Sequence, residues 1–196
     1  MSTQNKSKKG SAKIILPNKS IVLVGLMGAG KTCIGTRLAN KLGMGFVDAD
    51  DEIEAAADCT IEEIFTLYGE QKFRDGERRV IARLLKGKPR VLSTGGGAFA
   101  NQRTRDNVRR RGISVWLKAD IDVLLRRVSR RNNRPLLRTG DKRQILERLI
   151  DERYPAYSEA DVTVESDAES PDITVDKVID ALTTIDDPHP GEAAAK

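Results

Sequence analysis

Between residues 20 and 184, short apolar runs alternate with longer stretches whose apolar side chains recur every three or four positions. Ile21 to Val24 (IVLV) is rich in β-branched residues, too short for a helix, and stops at a glycine-rich turn, so it predicts a buried strand. The period then changes. In Lys31 to Leu42, Ile34, Leu38 and Leu42 fall on one stripe of a helix. Four further short runs predict strands: Gly45 to Asp48, Arg90 to Ser93, Ile113 to Leu117 and Asp161 to Val164. Helical patterns cover 52–57, 61–86, 101–111, 120–130, 141–157 and 172–184. With no internal repeat and no dividing linker, this alternation predicts one α/β domain. Its expected form is three layers, a five-stranded parallel sheet with helices on both faces and right-handed crossovers. Ligands in such folds gather at the carboxyl ends of the strands, so chemistry is expected there.

Composition narrows the picture in a few places. The chain has 196 residues, 39% hydrophobic and 32% charged, which suits one compact domain with a full core. No apolar run approaches the roughly 20 residues that a membrane span needs, so no membrane partner is expected. Residues 1–19 read as a basic disordered tail, with Lys6, Lys8, Lys9 and Lys13 but no apolar stretch of the kind a secretory signal carries. Residues 185–196 read as a second disordered tail, and it holds the sole histidine, His189, which argues against histidine catalysis. Cys33 and Cys59 give neither a disulfide framework nor zinc spacing, consistent with a reducing cytoplasm. A net charge of +5 suits nucleic acid or a small polyanion equally. Much of the basic charge, however, lies in one stretch from Arg126 to Arg138.

The first predicted strand runs straight into Gly25-Leu26-Met27-Gly28-Ala29-Gly30-Lys31-Thr32, which satisfies G-x-x-x-x-G-K-[ST] between a strand and a helix. Glycines let backbone N–H groups turn inward, and the following helix N-terminus adds a positive dipole end for phosphate. Lys31 supplies a point charge for the β- and γ-phosphates of ATP, and the Thr32 hydroxyl is a hard oxygen ligand for Mg²⁺. A glycine-rich turn capping an ordinary helix is the plain alternative, and the flanking strand and helix weigh against it.

A phosphate loop alone does not separate GTPase, motor ATPase, nucleotide kinase and metabolite kinase. No N-K-x-D base-reading element follows it, and no apolar strand ends in a carboxylate where a motor would carry one. The second predicted strand ends in Asp48-Ala49-Asp50, and strand alternation sends both carboxylates the same way. One can hold Mg²⁺ through water, and the other can take the proton of an attacking hydroxyl. Asp51 is the expected cap of the next helix. Farther on, Arg74 has Glu77 within reach three residues later, and a guanidinium fork suits a substrate carboxylate. After the third strand, Gly95-Gly96-Gly97 lets a ligand lie against bare backbone.

In order and spacing these residues resemble the shikimate kinase family: GLMGAGKT (Gly25 to Thr32), DAD (Asp48 to Asp50), FRDGE (Phe73 to Glu77) and GGG (Gly95 to Gly97). The likeness continues through RPLL (Arg134 to Leu137) and RYPAY (Arg153 to Tyr157), and so spans about 20–184. The resemblance implies a P-loop kinase fold with a mobile lid over about 129–140. It also implies transfer of the ATP γ-phosphoryl group to the 3-hydroxyl of shikimate, a step toward chorismate and the aromatic amino acids. Gly28, Ala29, Gly30, Lys31, Thr32 and Cys33 would line the ATP phosphates, and Thr32 would ligate Mg²⁺ with Asp48 nearby. Asp50 would bind the shikimate hydroxyls and act as base. Arg74 and Arg153 would grip the carboxylate beside Gly95, Gly96 and Gly97. Arg134 would reach the phosphates from the lid, and Arg127 would stack on adenine. One departure stands out: Glu165 to Pro171 reads ESDAESP, acidic where the family often carries a basic residue touching the nucleotide.

Two rivals share parts of this pattern. A kinase for gluconate or a nucleoside monophosphate would keep the phosphate loop, but Arg74 with Glu77, the glycines and Asp50 favour a compact carboxylated polyol. An RNA-binding protein could use the basic tail and Arg109 to Arg111, yet the chain supplies few aromatic platforms for bases. The expected partners are therefore ATP and shikimate, with no nucleic acid, and the expected state is a monomer.

Overall fold

A computed structural model describes residues 18–129, 140–166 and 170–185. Nearly all of both expected tails, and of the expected lid with Arg134, lies outside the described residues. Within them, the expected alternation of strand and helix holds from end to end. β1 (Ser20–Val24), β2 (Gly45–Asp48), β3 (Arg90–Ser93), β4 (Gly112–Lys118) and β5 (Val162–Glu165) form one sheet in the order β2-β3-β1-β4-β5. Every pairing is parallel, with Ile21 opposite Val91 on one side and Ile113 on the other. β1 is buried along its whole length because it is the central strand, which explains why its sequence is apolar without alternation.

The helices are α1 (Lys31–Leu42), α2 (Ala49–Ala57), α3 (Ile61–Leu84), α4 (Gln102–Arg111), α5 (Ile121–Ser129), α6 (Lys142–Tyr157) and α7 (Pro171–Thr184). Leu38, Leu92, Val115, Leu124, Leu146 and Val178 belong to one continuous core around the sheet. A second, small core of Ile53, Ile64 and Phe73 joins α2 to the first half of α3. Gly69 breaks α3 there, with φ 78° and ψ 169° inside an otherwise helical run. Among the described residues, no helix is long and apolar enough to cross a membrane.

The chain leaves β1 leftward for β2, returns to β3, then crosses to β4 on β1's other side. The strand order therefore reverses about β1, and the loop after β1 opens at the sheet's carboxyl edge, where such folds place their ligands.

Candidate active site

The phosphate loop occupies that edge. Gly25 (φ 134°) and Gly30 (φ 94°) take left-handed conformations that side chains resist, and a Cβ on Gly25 would lie 2.6 Å from the Leu117 carbonyl oxygen. Gly30 is the N-cap of α1, and the first intrahelical bond runs from Ile34 N–H to Gly30 O at 2.8 Å. Helix geometry thus leaves the preceding amides without intrahelical partners, ready for an anion. Lys31 is 9% exposed, and its ammonium donates to the Gly25 and Leu26 carbonyls at 2.7 and 3.0 Å. Its charge is held at the loop by the loop's own backbone. The Thr32 hydroxyl donates to Asp48 Oδ2 at 2.8 Å, bringing two hard oxygens from different elements side by side. Among the described residues, no group of three or more His, Cys, Asp or Glu side chains could hold a metal ion. A Thr–Asp pair next to a triphosphate cradle fits Mg²⁺, which keeps several waters and takes few protein ligands, usually beside substrate phosphates.

The Asp48–Asp50 region differs from the sequence expectation in one respect. β2 ends at Asp48, and α2 begins at Ala49 rather than at residue 52. Asp48, not Asp51, is the N-cap: its Oδ1 accepts from Asp50 N–H at 3.1 Å while its other oxygen serves Thr32. Aspartate suits an N-cap, and Asp50, Asp51 and Glu52 in the first turn suit the helix dipole, so the helix starts as soon as the strand ends. Asp50 reaches the cleft by a turn of helix instead of by strand alternation. Both carboxylates still line the cavity.

Beyond Asp50 the site is built from side chains. Arg74 donates to Glu77 Oε2 at 2.8 Å and to Glu70 Oε1 at 3.3 Å, and its guanidinium lies 4.9 Å from the centre of the Phe73 ring. Glu77 is only 2% exposed. Burial pushes its carboxyl up, against the pull of Arg74 and Arg153. Burial also works against the Arg74 charge, and the Glu77 and Glu70 carboxylates more than offset it, leaving the guanidinium above its usual range. The other Glu77 oxygen, Oε1, has no hydrogen-bond partner among the described residues.

The three glycines after β3 explain how these groups fit. A Cβ on Gly97 would lie 2.7 Å from Cζ, Nη1 and Nη2 of Arg74 alike, so the guanidinium rests face-on against bare backbone. A Cβ on Gly95 would meet Glu77 Oε1 at 2.5 Å and Asp50 Oδ1 at 3.0 Å. The missing side chains therefore make room for the protein's own charged groups. On the far side, the Gly96 carbonyl accepts from Arg153 Nη1 at 3.0 Å and from the buried Tyr157 hydroxyl.

One cavity of 370 Å³ joins the two halves, with Lys31, Thr32, Cys33, Asp48, Asp50, Gly95, Gly96 and Arg127 on its wall. Arg74 and Arg153 do not line this cavity themselves; they pack against the same glycine stretch, Arg74 at Gly97 and Arg153 at Gly96. Arg127 lies with Nη1 near Gly28 O, Ala29 O and Ser166 Oγ, at 3.2, 3.4 and 3.1 Å. Among the site residues that had no assigned role in the sequence reading are Ser166 and Tyr157, which hold backbone carbonyls of the two halves. Tyr157 could have been found one helical turn after Arg153, where its side chain shares a face with that arginine. Ser166 carries no local signal, because its hydrogen-bond partner Ala29 is 137 residues away.

A parallel sheet, a glycine loop that cradles phosphate at its central strand and a facing pocket of carboxylates and guanidinium groups together define a P-loop kinase of a small acceptor. The shikimate kinase family model matches residues 27–183. A shikimate kinase of Paramagnetospirillum magneticum is 55% identical over 166 residues, covering 85% of each chain, and one of Rhizobium leguminosarum is 52% identical over 176, covering 90% of each. Among solved structures, a shikimate kinase from Acinetobacter baumannii in complex with shikimate superposes with a TM-score of 0.79 at 40% identity, over 82% of this chain and 90% of that one. This chain belongs to the shikimate kinase family, and it is an ATP-dependent phosphotransferase with a hydroxyl acceptor.

Proposed function

We propose that the cleft transfers the γ-phosphoryl group of ATP to the 3-hydroxyl of shikimate, giving shikimate 3-phosphate and ADP, through the following roles. The amides of Gly28 to Cys33 and the Lys31 ammonium bind the triphosphate, and Arg127 flanks the nucleotide beside the loop. Thr32 and Asp48 hold Mg²⁺, which supplies charge neutralisation for the phosphates. Arg74 and Arg153 grip the acid's carboxylate, with Glu77 and the Gly96 carbonyl fixing the two forks. Asp50 accepts the hydroxyl proton as the new O–P bond forms, and the bond from the γ-phosphorus to the bridging oxygen of ADP breaks. Arg134 is assigned to the phosphates on sequence alone.

One observation carries this reading: Asp50, Arg74 and Arg153 converge on a single three-glycine stretch that faces the phosphate loop across one cavity. A carboxylate-bearing polyol satisfies both guanidinium groups and offers Asp50 a hydroxyl. A nucleoside monophosphate has no carboxylate for them. The same reading places the enzyme in the cytoplasm as a monomer, with ATP and shikimate as partners and neither nucleic acid nor membrane. Coupled ADP release measured with shikimate, gluconate and nucleoside monophosphates tests the acceptor. The expected result is turnover with shikimate alone, abolished by EDTA and restored by Mg²⁺. Equal turnover with gluconate would reject the assignment.

A further inference from the structure

Ser166 is the residue that follows β5, at the head of the acidic segment that lacks the expected basic contact to the nucleotide. It is 1% exposed, and its own N–H bonds to Lys118 O at 2.6 Å, so its position is fixed by the sheet. Its hydroxyl serves as both donor and acceptor. It donates to Ala29 O at 2.8 Å and accepts from Arg127 Nη1 at 3.1 Å. Arg127 Nη1 in turn reaches Gly28 O and Ala29 O at 3.2 and 3.4 Å. The outward carbonyls of the phosphate loop are thus held by a serine and an arginine from two other elements.

A trans peptide is planar and carries its C=O and N–H on opposite edges. Fixing the direction of Ala29 O therefore fixes the direction of Gly30 N–H, the amide in the same plane. Gly30 sits on the cavity wall in a left-handed conformation, where glycine tolerates more than one peptide orientation. The loop's glycines make the cradle possible but do not by themselves hold it in its binding geometry.

We propose that Ser166 is a positioning residue for the nucleotide: by holding Ala29 O and orienting Arg127, it aims the Gly30 amide at the ATP phosphates. The inference rests on the reading that ATP occupies the phosphate loop.

The test uses Ser166→Ala in the full chain. Losing one hydrogen bond that orders the cradle should weaken ADP, measured by calorimetry, and raise the KM for ATP by roughly five- to tenfold. The KM for shikimate should be unchanged, and the melting temperature without nucleotide should fall by only the few degrees that one buried hydrogen bond is worth. In ¹⁵N–¹H spectra the ADP-induced movement of the Gly30 amide should shrink by about half or more, as expected for a less well-aimed hydrogen bond. ADP affinity within twofold of wild type overturns the proposal. So does weakened ADP binding with the Gly30 movement intact, which would put Ser166 on the base or sugar, or an equal loss for both substrates with a larger fall in melting temperature, which would make it merely structural. If the alanine variant folds poorly, Ser166→Cys keeps the side chain's approximate volume with a weak donor and is judged by the same readouts. Failure of the wild-type enzyme to bind ADP would instead sink the underlying reading.

Discussion

The two halves of the cleft solve the same problem, holding an anion, with different materials. The nucleotide half is mostly backbone: the six residues between β1 and α1, with the first turn of α1, present amides and a helix end, and Arg127 and Ser166 brace them from outside. The acceptor half is mostly side chain, with α3 giving Arg74 and Glu77, α6 giving Arg153 and Tyr157, and the loop after β3 giving three glycines to pack between them. Backbone amides point in fixed directions and bind any phosphate that reaches them. Guanidinium forks held by a buried carboxylate select a planar carboxylate by shape. The difference predicts that the halves can be damaged separately, with Asp50 at the junction affecting turnover itself.

The largest effect is expected at that junction. Asp50→Asn should lower kcat by about 10²–10⁴, the usual contribution of a positioned general base, while ADP affinity stays near wild type. An unchanged kcat would remove Asp50 from the reaction. Next comes Arg74→Ala, which leaves the substrate carboxylate short of a partner and Glu77 buried without its cation. A loss of about 2–5 kcal/mol in kcat/KM for shikimate is expected, with the KM for ATP unmoved. A loss below tenfold, or one shared equally by ATP, would erase the distinction between the halves.

The same contrast governs what could be read before the structure. The nucleotide half was legible because its chemistry is contiguous, and α1, β2 and β3 have the expected bounds. The acceptor residues were legible as types, but their mutual support was not. That Gly97 makes room for Arg74, and Gly95 for Glu77 and Asp50, depends on close approaches that no spacing encodes. Asp48 misled because one residue both ends a strand and caps a helix, and its capping role moved Asp50 from strand to helix. Asp161 was expected in the last strand, yet β5 starts at Val162. The Asp161 side chain instead accepts from Ser114 N–H and Oγ at 2.7 Å each, clamping the strand's entrance to β4. A carboxylate beside a parallel partner can replace the first ladder bonds, and sequence patterning does not distinguish the two.

Gly97→Ala probes the packing of the acceptor half without touching any charged group. The added methyl would stand 2.7 Å from three atoms of the Arg74 guanidinium. Arg74 is tied to Glu77 and cannot swing aside without breaking that pair. The expected outcome is a shikimate KM raised about tenfold, comparable to losing one charge-assisted hydrogen bond, with the ATP KM unchanged. A wild-type KM would mean that the face-on contact between Arg74 and Gly97 is dispensable for binding the acid.

The smallest effect is expected from Tyr157→Phe, and it asks how far the acceptor half depends on support behind its guanidinium groups. Tyr157 is fully buried, with its ring 5.8 Å from that of Trp116 and its hydroxyl on the Gly96 carbonyl that Arg153 also uses. Phenylalanine keeps the ring and removes only the hydroxyl, so the packing survives. The Gly96 carbonyl keeps Arg153, and the site loses one of two donors at a shared acceptor. A net hydrogen bond of about 0.5–1.5 kcal/mol corresponds to a two- to tenfold rise in the shikimate KM. Because the Tyr157 hydroxyl bonds Gly96 and not the phosphate loop itself, ADP affinity should match wild type. If calorimetry instead shows ADP weakened as much as shikimate, the glycine stretch couples the two halves, and the cleft works as one rigid unit rather than two separable ones.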